Sequence, residues 1–544
     1  MHRYARIVLA AILAACCASS LLGPAVAQAA EASPARTAVL ETMQRATRFM
    51  LDKVAYKGGY VWSYLPDMSR RWGEMEAYPT MIWIQPPGTG TMGHLYLDAY
   101  HATGDERYYK AAEQVADALI RAQLPSGGWG YMADFAGEVS IRRWYDTIGK
   151  NGWRLEEFLH YYGNSTFDDE GTSEASQFLF RMYLEKKDAK YKAPLDRAIK
   201  LVLDSQYANG GWPQRYPAPA QPFAYKGKPD YTGYITLNDS VADENIKFLI
   251  MVYQTLGDKR AYDAIIRGMN IFLVLQQPKP QAGWAMQYTP DALKPLGARS
   301  YEPDALTTHT TAQVIDKLMD FYMLTGDAKF LACIPEALDW LDSVKLPPEQ
   351  QRPTRTHPTF IELGTNRPMF VHRRGSNVVN GEYYADYNPD KTIVHYGAFR
   401  KLDVAKLRER YAQLKATPPA EASKDSPLLA KGIELPRYFS LADLNVSDLT
   451  AGHMGVGDVT PERVAKLIES LNAEGYWPTP LKATSNPYKG DGSATSAAGD
   501  YSTTRVGDDT DTSPYVTTNP PMGISTGAYI KNMGELIRYL GQLK

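Results

Sequence analysis

The sequence predicts an all-α protein, an α/α toroid of repeated helical hairpins with long irregular loops, and three observations carry that prediction. First, a unit recurs at nearly fixed spacing: a Gly-Asp or Lys-Asp turn, an aromatic residue three or four positions on, an amphipathic helix, a Gly, then Trp and Tyr. The copies run Gly104-Asp105 to Tyr108 to Trp129, Lys187-Asp188 to Tyr191 to Trp212, and Gly257-Asp258 to Tyr262 to Trp284, with 24, 24 and 26 residues from Asp to Trp. Second, apolar residues within the copies keep helical spacing, as in Ala112, Val115, Ala116, Leu119 and Ile120, or Ala198, Ile199, Leu201 and Val202. Third, the segments between copies, such as 175–184 and 245–256, also read as helices, so each unit is a helix pair whose second member ends in a Gly/Trp loop. Hairpins in series stack or close into a ring, and the loops ending one set of helices gather at one face.

Taken in chain order, the first element is a basic segment (His2, Arg3, Arg6) followed by an Ala-rich apolar stretch from Ile7 to Leu22 and small residues at Ala25, Ala27 and Ala29. This layout predicts an export signal over 1–29 and a secreted or periplasmic protein. A competing reading is the lipobox-like Leu13-Ala14-Ala15-Cys16, which would leave the chain tethered through lipid on Cys16. No later run is apolar for long enough to predict a membrane span. Gly58-Gly59-Tyr60-Val61-Trp62 resembles the end of an earlier copy and Gly326-Asp327 the start of a fourth, so the toroid is expected over 36–415. Residues 416–544 are expected to be a C-terminal extension packed on it, with a Ser/Thr/Gly/Asp-rich loop at 484–521 and a final helix from Ser525.

Composition narrows the function. Cleavage of the signal removes Arg3 and Arg6, leaving 57 basic against 61 acidic residues, a mildly acidic chain with no electrostatic basis for nucleic-acid binding. Of three cysteines only Cys333 lies outside the signal, so no disulfide framework is expected. No phosphate loop, zinc motif or nucleophile elbow is present in the sequence. The 37 Tyr and 10 Trp suit stacking on sugar faces, a weak clue by itself. Trp62 and Trp129 read as packing residues, whereas the polar neighbours of Trp212 and Trp284 point those two toward a ligand.

The densest polar cluster is Ser165 to Glu174, with Asp168, Asp169 and Glu170 at its centre and a helix following. Clustered carboxylates at such a junction bind a hard cation through oxygen, or simply cap the free amides of the helix. Asn238-Asp239-Ser240 stands at a second junction of this kind. Basic groups alternate with these along the loops: Arg215 in Asn209-Gly-Gly-Trp-Pro-Gln-Arg-Tyr-Pro217, Arg299 in Ala298-Arg-Ser-Tyr-Glu302, and Arg367, Arg373 and Arg374 in the loop 364–375. Guanidinium groups facing acidic clusters suit an anionic sugar held between arginine and a cation. Asp508, Asp509 and Asp511 read as a solvated acidic loop.

At these residues the sequence resembles polysaccharide lyase family 10, the pectate lyases with an α/α-toroid fold. The likeness spans 151–410; Asn209 to Pro217 is its most specific block, joined by Phe167 to Asp169, Asn238-Asp239, Gly283 to Gln287, Ala298 to Glu302 and Thr365 to Pro368. The resemblance implies calcium-dependent β-elimination of polygalacturonate. It implies Ca²⁺ ligands at Asp168 and Asp239, with Asp169 beside them, a catalytic base at Arg373 with Arg374 as the fallback, and substrate contacts from Trp212, Gln214, Asn238, Arg299, Glu302 and Arg367. An arginine base requires neighbouring cations to disfavour its charged form. The chain departs from the family pattern at Ser240, Thr359 and His372, all near the expected reaction centre. Two enzymatic alternatives follow from the same residues: a lyase on another polyuronate, and a toroid glycoside hydrolase on uronic acid oligosaccharides using Asp168 and Asp239 as acid and base. A non-catalytic carbohydrate-binding scaffold would have no need of the arginine loop.

Overall fold

A computed structural model describes residues 33–429, 434–439 and 458–543; the expected export signal and Cys16 lie outside them. Its helices in chain order are α1 (Arg36–Phe49), α2 (Thr89–Thr103), α3 (Glu106–Ala122), α4 (Glu138–Asp146), α5 (Gly171–Lys186), α6 (Lys192–Ser205), α7 (Val241–Leu256), α8 (Lys259–Val274), α9 (Thr308–Thr325), α10 (Lys329–Ala332), α11 (Ile334–Ser343), α12 (Val404–Ala416), α13 (Pro419–Ala422), α14 (Pro461–Ser470) and α15 (Thr526–Gln542). The helical hairpins form an α/α toroid. Helices α2, α5, α7, α9 and α15 are inner, buried on most of their circumference. Helix α15 packs on α2, α2 on α5 and α5 on α7, while α9 joins the series through α8. Amphipathic helices α1, α3, α6, α8, α11 and α14 form the outer layer. No helix of the described residues is long and apolar enough to cross a membrane.

The repeat has a direct physical explanation. Each Gly-Asp or Lys-Asp turn is a hairpin corner: Gly104, Lys187, Gly257 and Gly326 end an inner helix in the left-handed conformation, at φ of 71°, 52°, 67° and 69°. The Asp that follows caps the next helix, Asp105 accepting from Arg107 N, Asp188 from Lys190 N and Asp258 from Arg260 N. At the far end, the Trp indole donates to a carbonyl in the last turn of the outer helix, one of those a helix cannot satisfy itself. The bonds are Trp129 to Leu119 O (2.8 Å), Trp212 to Val202 O (2.9 Å) and Trp284 to Phe272 O (2.7 Å). Trp212 and Trp284 are therefore helix caps, fully buried, and the ligand contact expected of Trp212 is corrected: its polar neighbours face the site while the ring faces the core.

Trp477 repeats the bond on Leu467 O at 2.9 Å, closing α14. The glycine before each Trp lets the loop lie against the next outer helix. Gly210, at φ 101°, brings its α-carbon so close to α8 that an added Cβ would stand 2.2 Å from Arg267 O, and Gly475, at φ 104°, sits likewise over Arg45 O of α1. Residues expected as an extension thus supply α14 and α15 to the ring. The strand Met522–Ser525 that leads into α15 pairs with Ser63–Tyr64.

Short strands fix the N-terminal ends of the inner helices on one face. Ser165–Thr166, leading into α5, pairs with Arg215–Tyr216, and Ile235–Thr236, leading into α7, pairs with Gln287–Tyr288. Ala305–Thr307, leading into α9, pairs with Phe360–Glu362. Beyond it lie the strands Pro368–Arg374 and Glu382–Asp386. The arginine-rich segment is thus largely strand, and strand alternation turns Arg373 inward while Arg374 points out, its side chain 66% exposed.

Candidate active site

Two consecutive inner helices begin in the same way, and that duplication builds the site. After Ser165–Thr166 the chain makes a 3₁₀ turn over Asp168–Glu170, with Asp169 and Glu170 left-handed at φ 49° and 60°. After Ile235–Thr236 it repeats the turn over Asn238–Ser240, with Asp239 and Ser240 at φ 50° and 58°. Two successive left-handed residues without glycine are a strained way to enter a helix, and such strain collects at functional sites. The turns face one another, bringing carboxylate oxygens of Asp168, Asp169 and Asp239 within 4.8 Å of each other. Asn238 donates to the Asp239 carboxylate beside it.

The cluster carries more acid than its neighbourhood compensates. Burial, then Asp168 and Asp239, hold the Asp169 carboxyl well above the ordinary carboxylate range. Burial and Asp168 raise Asp239 likewise. Glu74 is pushed up to about 7 by burial and by Glu157, and Glu157 is itself raised by burial. Gln85 links the group, donating from Nε2 to Asp169 (2.6 Å) and to Glu74 (2.9 Å).

One guanidinium balances these groups from inside. Arg299, 3% exposed, lies 2.9 Å from Asp168, 3.2 Å from Glu302 and 3.3 Å from Glu157. Burial alone would pull it down, yet Tyr301, Tyr231, Tyr396 and Asp168 together hold it well above the ordinary arginine value. Glu302 fixes the turn that carries it, accepting from Ala298 N at 2.9 Å and Arg299 N at 3.1 Å, with Tyr396 donating to its other oxygen at 2.8 Å. Tyr131 donates to Asp168 Oδ2 at 2.6 Å, while Asp168 Oδ1 and Arg299 Nε are buried with no hydrogen-bond partner among the described residues. A buried carboxylate oxygen of Asp168 left without a donor, beside the raised carboxyls of Asp169 and Asp239, fits a hard divalent cation. Asp168, Asp169 and Asp239 are the residues that would hold it.

The other expected residues fall at varying distances from this centre. Gln214 is buried and its carbonyl accepts from Phe167 N at 2.8 Å, placing it directly beneath the Asp168 turn. Arg367 is exposed and lies over the Tyr387 ring, and Arg374 over Tyr384. Arg373 is buried against the Trp153 ring. Burial pulls it below the ordinary arginine value, but its Nε and Nη2 are spent on Tyr501 O, Thr504 Oγ1 and Val506 O. It is a clamp on the C-terminal loop and contacts none of the three aspartates. Thr359, where the resemblance calls for a basic residue, instead accepts from Arg400 Nε at 3.0 Å.

The sequence reading missed Arg154, Glu74, Glu157, Gln85 and His395. Arg154 Nη2 donates to Pro514 O at 2.6 Å and Nη1 meets His395 Nδ1 at 3.0 Å. Burial and then Arg154 and Arg299 push His395 well below the ordinary histidine value, leaving it neutral. None of these residues lies in a repeated block, so no spacing signal marks them.

Residues 139–382, which carry the aspartates, Arg299, Glu302 and Arg373, match the family described as pectic acid lyase. No curated protein matches the chain. Among solved structures, a family 10 polysaccharide lyase from Cellvibrio cellulosa is 18% identical at a TM-score of 0.35, covering 58% of this chain and 89% of that one. A mutant of the Cellvibrio lyase in complex with trigalacturonic acid is 18% identical at a TM-score of 0.34, covering 58% and 90%. A cellobiose 2-epimerase from Spirochaeta thermophila is 14% identical at a TM-score of 0.36, covering 57% and 71%.

Proposed function

We propose, with residues 139–382 matched to the pectic acid lyases as the premise, that this protein is a polysaccharide lyase that cleaves polygalacturonate by calcium-assisted β-elimination outside the cytoplasm. The observation that carries the reading is the facing pair of aspartate turns with Arg299 held 2.9 Å from Asp168. β-Elimination removes the proton on C5 of a uronate and breaks the bond from C4 to the glycosidic oxygen, leaving a double bond between C4 and C5. Asp168, Asp169 and Asp239 are the residues that would hold a Ca²⁺, which when bound would supply positive charge next to a uronate carboxylate and so acidify the C5 proton.

The chain's own groups provide the rest. Glu302 and Glu157 orient the Arg299 guanidinium beside Asp168, and that guanidinium is the group proposed to take the proton. An arginine can act so only where its charged form is disfavoured, and a cation held by Asp168, Asp169 and Asp239 would remove the Asp168 share of the charge that holds Arg299 protonated. The base expected at Arg373 is therefore reassigned to Arg299, because Arg373 is committed to carbonyls of the C-terminal loop. Gln214 and Asn238 hold the two turns in place rather than the sugar. The first 29 residues, read as an export signal, fit a substrate met outside the cytoplasm.

The test is ultraviolet absorbance of unsaturated uronate products during incubation with polygalacturonate. Loss of product formation in Arg299→Ala, with product still formed by Arg373→Ala, is the expected pattern. The reverse pattern would return the base to Arg373. Reducing ends without unsaturated product would give the hydrolase reading instead.

A further inference from the structure

Beside the carboxylate cluster lies a cavity of about 690 Å³ whose charge is opposite. Its wall carries Arg355, Arg400, Lys401, Lys406, Arg410 and Arg505, six cations, against the carboxylates of Asp316 and Asp403. Both carboxylates are occupied: Asp316 accepts from Arg410, and Asp403 caps α12 through Lys406 N at 3.0 Å. Arg410 is spent on Asp316 and Asp320. The other five cations form no ion pair among the described residues, and Lys401, Lys406, Arg355 and Arg505 are exposed. His309 at the floor adds no charge, since burial and Arg400 push it down to about 3. Unpaired cations converging on a concave surface repel one another, and an anion relieves that repulsion.

The cavity shares two side chains with the surroundings of Arg299. Tyr396 and His395 line it, and the Tyr396 hydroxyl donates to Glu302 on the far side while His395 stacks edge-on against Tyr301, next to Arg299. The wall is made by the segment 394–410, by α9, by Arg355 and by Arg505 from the C-terminal loop; α9 and Arg355 lie within the residues matched to the family. Arg505 is held in place from both sides. Arg373 grips Tyr501 O and Thr504 Oγ1 before it and Val506 O after it, the last at 2.9 Å. That is a structural reason for an arginine at 373 independent of any part in proton transfer.

We infer that this cavity is a distal subsite that takes the carboxylate of a further uronate unit of an acidic polysaccharide, with Arg400, Lys406 and Arg505 as its anion-binding groups and Arg373 as the residue that positions Arg505. The inference rests on the reading of the protein as an enzyme of polyuronates. Neutral sugar chains give these cations nothing to bind, so the subsite selects for unesterified stretches of substrate.

The experiment is calorimetric titration, in EDTA to hold turnover down, of the full chain and its Lys406→Ala/Arg505→Ala variant. The probes are hexagalacturonate, hexamannuronate and fully methyl-esterified hexagalacturonate. Both substituted side chains are exposed, so folding should persist, which a melting curve verifies. A Lys192→Ala/Lys200→Ala variant, changed on the outer face of α6, controls for lost net charge. The expected result is binding of an acidic hexamer weakened on the order of tenfold in the cavity variant, about 1.4 kcal/mol, because both lost contacts are made by exposed, solvent-screened side chains. The control variant and the methyl ester should show no such loss. Equal affinity of the cavity variant and the wild type, an equal loss for acid and ester, or no binding of either acidic hexamer would each overturn the subsite. The product assay is independent: weakened binding with no unsaturated product would leave the subsite standing and sink the lyase reaction, and unchanged binding with abundant product would do the opposite.

Discussion

Replacing Arg299 with Met tests the electrostatic logic of the site without any substrate. The methionine keeps most of the side-chain volume, so packing is largely preserved, while the one guanidinium shared by Asp168, Glu302 and Glu157 disappears. Removing one partner of a buried ion pair costs about 3–5 kcal/mol, because the remaining charge has lost its compensation. All three carboxylates here are less than a tenth exposed, so solvent screening offers little relief. Burial already raises Glu157, so at acidic pH the proton it keeps would cover part of the loss. At alkaline pH it would have to carry its charge unpaired, and the cost of the substitution should therefore grow as pH rises. Denaturant unfolding followed by tryptophan fluorescence, at pH values on either side of neutrality, measures this directly. Added Ca²⁺ should restore part of the loss by occupying the aspartates. A loss below about 1 kcal/mol, or one that does not change with pH, would refute the reasoning.

Two further outcomes follow from the same structure. Trp212→Ala should destabilise the fold by about 3–5 kcal/mol, since it empties a fully buried site and frees Val202 O; an unchanged unfolding midpoint with weakened sugar binding would restore Trp212 to a ligand-binding role. Asp511 is pushed up to about 6 by burial. Between the ordinary carboxylate value and about 6 the folded chain keeps a proton that the unfolded chain has released, so this group's contribution to stability falls as pH rises through that window. Relative to Asp511→Asn, which has no titrating group, the wild type should lose up to about 3 kcal/mol between about pH 4 and about pH 7; parallel stability curves for the two proteins would contradict it.

The helical repeat was legible because it is written in local chemistry. A left-handed corner wants Gly, an outer helix wants an Asp cap, and a closing indole stands at a set distance from its carbonyl, so spacing and residue type carry the same information. The copy closed by Trp477 escaped notice because Asp458 of its Gly-Asp pair stands only 19 residues before Trp477, short of the other copies, and α14 takes Thr460 as its cap, the side chain accepting from Arg463 N. The clustered aspartates were legible for a similar reason, each sitting at a strand-to-helix junction. Side-chain direction was not. Arg373 and Arg374 are neighbours in sequence, and only the pairing of Pro368–Arg374 with Glu382–Asp386 decides which points inward. Its partners at 501–506 lie more than a hundred residues away along the chain, where no local pattern indicates them. Trp212 was misread because polarity was averaged over a loop whose backbone turns ring and neighbours to opposite sides. Glu74, Glu157 and Arg154 come from non-repeating loops, so nothing but the folded structure brings them together.

The measurement that bears most directly on the central claim is the formation of unsaturated product from polygalacturonate by the wild-type chain, first with added Ca²⁺ and then with EDTA. Product should accumulate with Ca²⁺ and stop on chelation, and should be absent in Arg299→Ala under either condition. Product formed equally in EDTA would contradict the role given to Asp168, Asp169 and Asp239, and no product from polygalacturonate under any condition would contradict the assigned reaction.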